Sequence, residues 1–386
     1  MRAPLGWLQL WHRPLRLLVA VSGISFAVLL IMMQLGFRSA LFESAVRFQE
    51  RFHYDIALFS TDSVFIVRPQ PFSIRRLYQA LGDPEVVDVA PVYIFPAVYK
   101  NPWTQQRRSL NAIGFEPHDH LLDTPGFDEN RLSLVQQDVV IMDAASRPEF
   151  GPPGVRLAEA FAAEGPWTTE VNDREVQVVG LFRMGTSFGI DSTIMTSVDN
   201  WLRLFPERSR DDIQLGLLRL GVGSDAAAVR DRLAARLPQD VLVMTKADFV
   251  AREKAYWNAA TPIGYVFAFG AIMGLVVGAI IVYQILFADV TEHLPEYGTL
   301  RALGYPARFV SGIVLQQAGI LACLGFLPGL GASAWLYGRA AAATNLPLYV
   351  TPERAGLVFA MTLSMCALSA LAAVRKVRRL DPAEVF

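Results

Sequence analysis

Four long runs of uncharged, mostly apolar residues constrain this chain more than any other feature of its sequence. They cover residues 17–37, 255–288, 309–338 and 355–374. Each run, as a helix rising about 1.5 Å per residue, is long enough to cross a hydrocarbon layer of about 30 Å. Residues 39–253 contain no comparable run, the longest being 89–99. The sequence therefore predicts one membrane helix, a large water-soluble domain and then three more membrane helices.

The predicted fold class is an α-helical membrane protein with four transmembrane helices in a 1+3 arrangement. An α+β extracytoplasmic domain is inserted between helices 1 and 2. The predicted segments are a cytoplasmic or interfacial N-terminal segment at 1–14, TM1 at 15–37, the periplasmic domain with helical stalks at 38–254, TM2 at 263–288, a cytoplasmic loop at 289–308, TM3 at 309–337, a short periplasmic loop at 338–354, TM4 at 355–374 and a cytoplasmic tail at 375–386. The first run is longer than the apolar core of about 7–15 residues in a secretory signal, which favours an uncleaved anchor over a removed signal.

Basic residues in the short connections predict the orientation, because positive charge is retained on the cytoplasmic side. The side that carries both termini has nine basic residues, whereas the 339–354 loop has only Arg339 and Arg354. The nine are Arg2, Arg13, Arg16, Arg301, Arg308, Arg375, Lys376, Arg378 and Arg379. Both termini are therefore predicted in the cytoplasm, and the large domain in the periplasm of a cell with an inner and an outer membrane.

Composition excludes several functions. The net charge of −1 gives no basic footprint for nucleic acid. None of the four lysines belongs to a phosphate-binding G-x-x-x-x-G-K-[ST] loop, so the chain is not a P-loop ATPase. The four apolar runs contain no Asp, Glu, Lys or Arg, which disfavours an ion-coupled pathway and implies an energy source outside this chain.

The large domain shows alternating short strand and helix patterns rather than a parallel dinucleotide-binding sheet. Strands are predicted at 54–60, 64–67, 86–99, 109–115, 138–142, 175–182, 213–220 and 241–245, and helices at 73–81 and 224–237. Amphipathic stretches at 37–52 and 246–261 lead out of the first run and into the second. These stretches are either helical stalks that couple the domain to the membrane helices or surface helices packed on the domain.

Motifs for catalysis or metal binding are weak. His118 and His120 resemble a metal pair, but no further ligands follow at the usual spacing, and a polar loop is the better interpretation. The segment 185–189 resembles an anion-binding turn only loosely. No G-x-S-x-G or H-E-x-x-H motif occurs. The chain is therefore predicted to be non-catalytic, with no catalytic residues and no metal or cofactor of its own.

Two features of the apolar runs predict helix packing and helix shape. Gly270, Gly274 and Gly278 recur every four residues, which removes side-chain bulk from one stripe and lets another helix approach closely. The partner is either a helix of the same chain or one of a second subunit. Pro328 is predicted to break or kink the third run.

The 289–308 loop contains a short predicted helix opened by Pro295, with Glu296 suited to its first turn and Gly304 to its C-terminal cap. On local features alone, such a helix either docks into a partner or serves only as a connector. The candidate ATPase-coupling residues are Glu296, Tyr297, Gly298, Thr299, Leu300, Arg301, Ala302, Leu303 and Gly304.

This segment resembles the coupling-helix signature of FtsX/MacB-type ABC permeases, and the terminal Asp381-Pro382-Ala383 resembles the C-terminal motif of that family. Nearly the whole chain resembles the DevC-type permeases of cyanobacterial exporters. The resembling segments are 33–38, 76–82, 146–151, 185–189, 282–286 and 296–298.

The resemblance implies a homodimer in the inner membrane that works with a separate cytoplasmic P-loop ATPase (DevA-like), which binds the ATP. It also implies a membrane-fusion adaptor (DevB-like), a TolC-like outer-membrane channel and export of a lipid or glycolipid by mechanotransmission. The alternative is an FtsX-like signal transmitter that regulates a periplasmic partner without transport. A membrane-anchored extracytoplasmic enzyme is a third class. An adjacent reading frame for an ATPase plus an adaptor favours export, and an ATPase without an adaptor favours signalling.

Overall fold

The computed structural model describes residues 14–117, 122, 124–187, 189–259 and 262–377. They divide into two compact units. One unit takes the described residues up to Ala40, Pro262–Ala343 and those from Leu348 onward, and the second takes Leu41–Thr261 and Thr344–Pro347. We call the first the helical unit and the second the α+β unit.

The described helices are, in chain order, α1 Pro14–Ala45, α2 Arg47–Arg51, α3 Arg75–Ala80, α4 Phe127–Asn130, α5 Leu157–Glu164, α6 Val198–Leu204, α7 Ala226–Arg236, α8 Lys246–Ala259, α9 Ile263–Glu292, α10 Leu294–Ala302, α11 Ala307–Thr344 and α12 Pro352–Val377. The strands are β1 Ile56–Ser60, β2 Phe72–Ser73, β3 Val86–Lys100, β4 Arg107–Phe115, β5 Val139–Asp143, β6 Trp167–Val171, β7 Arg174–Phe182, β8 Thr193–Ser197, β9 Asp212–Ile213, β10 Leu215–Leu220 and β11 Val241–Thr245.

Four of these helices, α1, α9, α11 and α12, are long and apolar enough to cross a membrane. Helices α1, α11 and α12 contain the first, third and fourth apolar runs, and α9 contains residues 263–288 of the second. Helix α1 continues past residue 37 without interruption to Ala45, and α2 follows after the single non-helical residue Val46.

Pro328 was predicted to break or kink the third run; it does not break it, because α11 runs unbroken through this residue. A proline inside a helix removes one backbone donor, and a 38-residue helix keeps the hydrogen bonds on both sides of that position. Close neighbours also stabilise the helix here, since the next residue, Gly329, lies against the Ser25 carbonyl oxygen and Val28 of α1.

The α+β unit is built on strand β3, which is long enough to belong to two sheets. Its first part, from Val86 to Val92, pairs antiparallel with β10, and the sheet continues through β1 to β11. Its second part, from Tyr93 to Lys100, pairs with β4. From β4 the order continues through β8, β5, β7 and β6, and β6 pairs back to β3 at Tyr99 and Lys100. These six strands therefore close into a small barrel beside a four-stranded sheet.

Apolar side chains on the two faces of these strands form two cores. The first core fills the barrel and lies under α3, α6 and α7, with Tyr93, Tyr99 and Trp201 fully buried. The second core lies on the opposite face of β3 and β4. It includes Phe59 and Phe115 from strands and aromatic residues from α2 and α8.

Several strand predictions differ from the structure. Residues 64–67 form turns instead of a strand, although Ile66 is buried in the second core. Strands β6 and β8 and helices α5 and α6 were not predicted. Strand β6 has the sequence Trp-Thr-Thr-Glu-Val with only two buried positions, so its apolar signal is weak.

The start of helix α7 is capped by the Asp225 carboxylate, which accepts a hydrogen bond from the backbone N–H of Ala227.

Candidate functional site

Helix α10 is the candidate coupling element. Pro295 and Glu296 lie in its first turn, and the Thr299 hydroxyl donates a hydrogen bond to the Pro295 carbonyl oxygen at 3.0 Å. The helix ends at Ala302, and Gly304, two residues later, has a left-handed φ of +92°, which favours glycine. The Tyr305 backbone N–H donates to the Leu300 carbonyl oxygen at 3.2 Å, which closes the helix with the predicted cap.

The faces of α10 differ in exposure. Tyr297 is buried, whereas Glu296, Gly298 and Thr299 are exposed and Leu300 is half-buried. Leu303, just after the helix, is 71% exposed. The side chains of Arg301 and Ala302 lie outside the described part of the chain. The helix thus has one anchored aromatic side chain and an acidic, polar face that is open to a partner.

The neighbouring helix ends of the helical unit are joined by polar contacts. The Gln317 amide of α11 donates a hydrogen bond to the Asp289 carboxylate of α9 at 3.0 Å. His293 Nδ1 lies 2.9 Å from the Asp289 carbonyl oxygen, directly before α10 begins. Arg16 of α1 forms an ion pair with Glu292 at the end of α9. These contacts join α1, α9 and α11 close to the start of α10. The periodicity of the sequence did not predict them.

The glycine stripe of α9 packs against helices of the same chain. A Cβ atom added at Gly270 would overlap Cδ of Gln34, and one at Gly274 would lie 3.2 Å from Cγ1 of Ile31. A Cβ atom at Gly278 would lie 2.6 Å from Sδ of Met365 on α12. Of the two partners that the sequence left open, the structure therefore places α1 and α12 against this stripe.

The two amphipathic stretches that flank the α+β unit pack on it. Phe48 of α2, Phe52 directly after α2 and Phe249 of α8 are buried in the second core. Lys246, the first residue of α8, donates a hydrogen bond from Nζ to the Phe52 carbonyl oxygen at 2.7 Å. Both helices thus contribute aromatic side chains to the same core.

The backbone at the start of the 185–189 segment donates a hydrogen bond to a side-chain carboxyl group of the same chain. The backbone N–H of Gly185 donates to Oδ2 of Asp143 at 2.7 Å, and that of Met184 donates to Oδ1 at 3.2 Å. Burial raises the pKa of the Asp143 carboxyl group, although these donors and the nearby Arg47 oppose the rise. This internal partner explains the loose likeness of the segment to an anion-binding turn.

Glu253 of α8 is a second buried carboxyl group, and the sequence analysis did not single it out. Its Oε2 accepts a hydrogen bond from the Ile66 backbone N–H at 3.3 Å, and its Oε1 accepts one from Nε1 of Trp257 at 3.0 Å. Burial raises its pKa to about 7. A glutamate on an amphipathic helix is usually exposed, so only the fold of the 61–71 loop over α8 reveals this group.

His118 and His120 lie outside the described residues. Among the residues that the structure describes, no group of three or more His, Cys, Asp or Glu side chains is arranged to hold a metal ion. The terminal Asp381-Pro382-Ala383 motif also lies outside the described chain.

Four helices of membrane-spanning length and an α+β unit define the class of this chain as a helical membrane protein with a substantial folded domain. Residues 268–382 match the family model described as "FtsX-like permease C-terminal". This match covers the C-terminal part of the chain, including α10 and most of α9.

Solved structures with some likeness to this chain are extracytoplasmic domains. The periplasmic region of MacB from Actinobacillus actinomycetemcomitans is 12% identical, with a TM-score of 0.34, over 52% of this chain and 92% of that one. The extracellular domain of the noncanonic ABC-type transporter YknZ from Gram-positive bacteria is 13% identical, with a TM-score of 0.31, over 49% of this chain and 98% of that one. Both TM-scores are below 0.5, so neither likeness supports a conclusion about this chain. A comparison with curated protein sequences finds no match.

Proposed function

We propose that this chain is the permease subunit of an ABC-type exporter, powered by a separate cytoplasmic ATPase that docks on α10. The observation that carries the proposal is the FtsX-like permease domain at 268–382, within which α10 presents an exposed polar face. The absence of a phosphate-binding loop from the sequence supports a separate power source, because this chain has no means of cradling a nucleotide through that motif.

The proposed topology has both termini and α10 in the cytoplasm of an inner-membrane protein, with the α+β unit in the periplasm. The arginine distribution of the sequence supports this orientation. In the proposed assembly the chain is a homodimer that engages a periplasmic adaptor and a TolC-like outer-membrane channel.

The proposed mechanism is mechanotransmission. ATP-driven closure of the dimer moves α2 and α8, and the second core carries that motion into the α+β unit because aromatic residues of both helices are buried in it. The proposed cargo is a lipid or glycolipid, since its chains stay in the bilayer until an adaptor accepts the molecule. The four apolar runs hold no ionisable residue that would line a polar conduit, which supports a route outside the helices.

The test uses the full chain in lipid nanodiscs together with the P-loop ATPase encoded beside it. We expect the chain alone to hydrolyse no ATP and the pair to co-purify and hydrolyse it. Glu296→Lys should reduce co-purification about tenfold or more, because it reverses the charge at an exposed site in the first turn of α10. Glu159→Lys, an exposed acidic site on α5 of the α+β unit, is the matched control and should leave the complex intact.

Hydrolysis of ATP by the purified chain without a partner would contradict the proposal. Equal co-purification of the Glu296→Lys and Glu159→Lys variants would remove α10 as the docking element. A stable ATPase complex that recruits no adaptor would replace export with signal transmission, the alternative function.

A further inference from the structure

A cavity of about 200 Å³ lies in the α+β unit, between two loops and the surface of two strands. Val67 and Arg68 line it from the 61–71 loop, and Asp191 lines it from the 183–192 loop. Pro96 of β3, with Ser109 and Asn111 of β4, contributes the strand side. The volume is equivalent to about seven water molecules, which is more than a bare inorganic ion fills.

The strand side of the cavity includes Asn111, an almost fully buried residue with a side-chain amide. Asn111 faces Pro96 across the ladder, and Ser109 lies on the same side of β4 because it is two residues away. Asn111 is only 5% exposed, and its backbone N–H donates to the Ser192 carbonyl oxygen. Its side-chain amide has no hydrogen-bond partner within the part of the chain that the structure describes. Because Asn111 lines the cavity, its amide is placed to donate a hydrogen bond to a polar ligand there.

The charge of the cavity is positive. Arg68 is exposed at the cavity and forms no ion pair with any described residue. Asp191 does not compensate this charge, since its carboxylate is paired with Arg147 at 2.9 Å. The backbone N–H of Arg147 also donates to the Asp191 carbonyl oxygen at 3.0 Å, which holds that pair in place.

Each of the two loops is tied to a different helix by a hydrogen bond from an arginine side chain. The Arg252 guanidinium of α8 donates to the Ser63 carbonyl oxygen at 2.8 Å in the first loop. The Arg47 guanidinium of α2 donates to the Thr186 carbonyl oxygen at 3.3 Å in the second loop. The walls of the cavity are therefore fixed before a ligand arrives, which lowers the ordering cost of binding.

We propose that this cavity binds an anionic group, a phosphate or a carboxylate, carried by a small organic molecule or a lipid headgroup. Arg68 supplies the opposite charge, and the Asn111 amide and the Ser109 hydroxyl supply directional hydrogen bonds. Arginine suits this role because its planar guanidinium matches the oxygen spacing of phosphate and carboxylate groups. The assignment does not depend on the proposed transport function.

The test is isothermal titration calorimetry, which measures binding affinity, on the full chain in phosphatidylcholine nanodiscs. Glycerol 3-phosphate is the probe and glycerol is its uncharged counterpart. We expect glycerol 3-phosphate to bind and glycerol not to bind. Arg68→Gln should weaken binding about tenfold or more, and Asn111→Leu should weaken it severalfold. Arg75→Gln is the matched control, because it removes an exposed arginine of α3 outside the cavity and should change nothing.

A second set of titrations distinguishes the source of the anion. If nanodiscs that contain phosphatidylglycerol weaken glycerol 3-phosphate binding in the wild type, the site takes a lipid headgroup. If they have no effect, it takes a soluble anion. The proposal is overturned if the probe does not bind, or if Arg68→Gln and Arg75→Gln lower its affinity equally. Arg68 is exposed on a loop, so its variant tests the site even if Asn111→Leu fails to fold.

Discussion

The helical unit and the α+β unit differ in the size of the residues at their packing contacts. In the helical unit, helices approach where side chains are smallest, as at Gly278, and hydroxyl groups bond to backbone carbonyls across helices. The Ser25 hydroxyl of α1 donates to the Gly325 carbonyl oxygen at 2.8 Å, and the Ser369 hydroxyl of α12 donates to the Ala279 carbonyl oxygen at 2.8 Å. In the α+β unit, large aromatic side chains such as Trp201 occupy the centre.

This difference follows from the surroundings proposed for each unit. Lipid chains are as apolar as leucine, so burying apolar surface between membrane helices gains little and close backbone approach matters more. In water, burial of apolar area is the main driving force, and large side chains supply most of it. The α+β unit should therefore be most sensitive to loss of side-chain bulk and the helical unit to added bulk, and three measurements test or refine this comparison.

The largest effect is expected for Trp201→Ala. Trp201 is fully buried, its Nε1 donates to the Ala112 carbonyl oxygen at 3.1 Å, and its ring lies 4.6 Å from that of Phe205 between centroids. We expect a loss of about 3–5 kcal/mol in the stability of the α+β unit. Hydrogen exchange of the full chain in nanodiscs should accelerate in β4 and α6 and stay unchanged in α9. Tyr78→Ala, at an exposed aromatic residue, is the control, and equal acceleration in α9 would refute independent packing of the units.

The second effect is expected for Gly278→Leu in the helical unit. A Cβ atom there would lie 2.7 Å from Cβ of Ala27, a small group that cannot rotate away. We expect a loss of about 1–3 kcal/mol, because the added bulk forces α1 and α9 apart. Cys366 is fully buried on α12, so its reaction with a thiol dye on heating, in a Cys323→Ser background, reports unfolding of this unit.

Gly319→Leu is the matched control for this change. Gly319 lies on α11 with no described atom within 4 Å of an added Cβ, so the variant should label at the wild-type temperature. If both leucine variants unfold at the same temperature, close approach at Gly278 is not what holds the helical unit together.

The third effect, which is small over any single pH unit, is a pH dependence of stability from Glu253. Because burial raises its pKa to about 7 from 4.5, the folded chain holds one more proton than the unfolded chain between these values. The stabilising contribution is complete below about pH 4.5 and is lost as pH rises through 7, at about 1.4 kcal/mol per pH unit. Urea unfolding of the α+β unit in the full chain, followed by tryptophan fluorescence, measures this slope.

Glu253→Gln provides the comparison for the pH slope. Glutamine does not titrate, so the variant should lose this slope between pH 5 and 7. It also has one carbonyl oxygen for two donors, the Ile66 N–H and the Trp257 Nε1–H, which lowers stability by an amount independent of pH. Identical slopes for the wild type and the variant would show that Glu253 is ionised at neutral pH.

The sequence predicted best where the signal is local. Hydrophobic length marked α1, α9, α11 and α12, and single residues with special backbone properties, such as Gly304, marked the end of α10. Strands with buried, β-branched residues, such as β5 and β11, were also predicted within a residue of their observed bounds. Strand β6 was missed, because its pairing with β3 and β7, rather than its own residues, makes it a strand.

What the sequence determined by itself is the division into long apolar helices and a folded domain, since hydrophobic length and backbone chemistry act within one segment. The tertiary structure alone decided which groups meet over long sequence separations. It selected α1 and α12 as partners of the glycine stripe and buried Glu253 under a distant loop. It also placed Arg68, Asn111 and Asp191 around one cavity. Such contacts depend on strand order, loop closure and helix packing, which no local pattern in the sequence encodes.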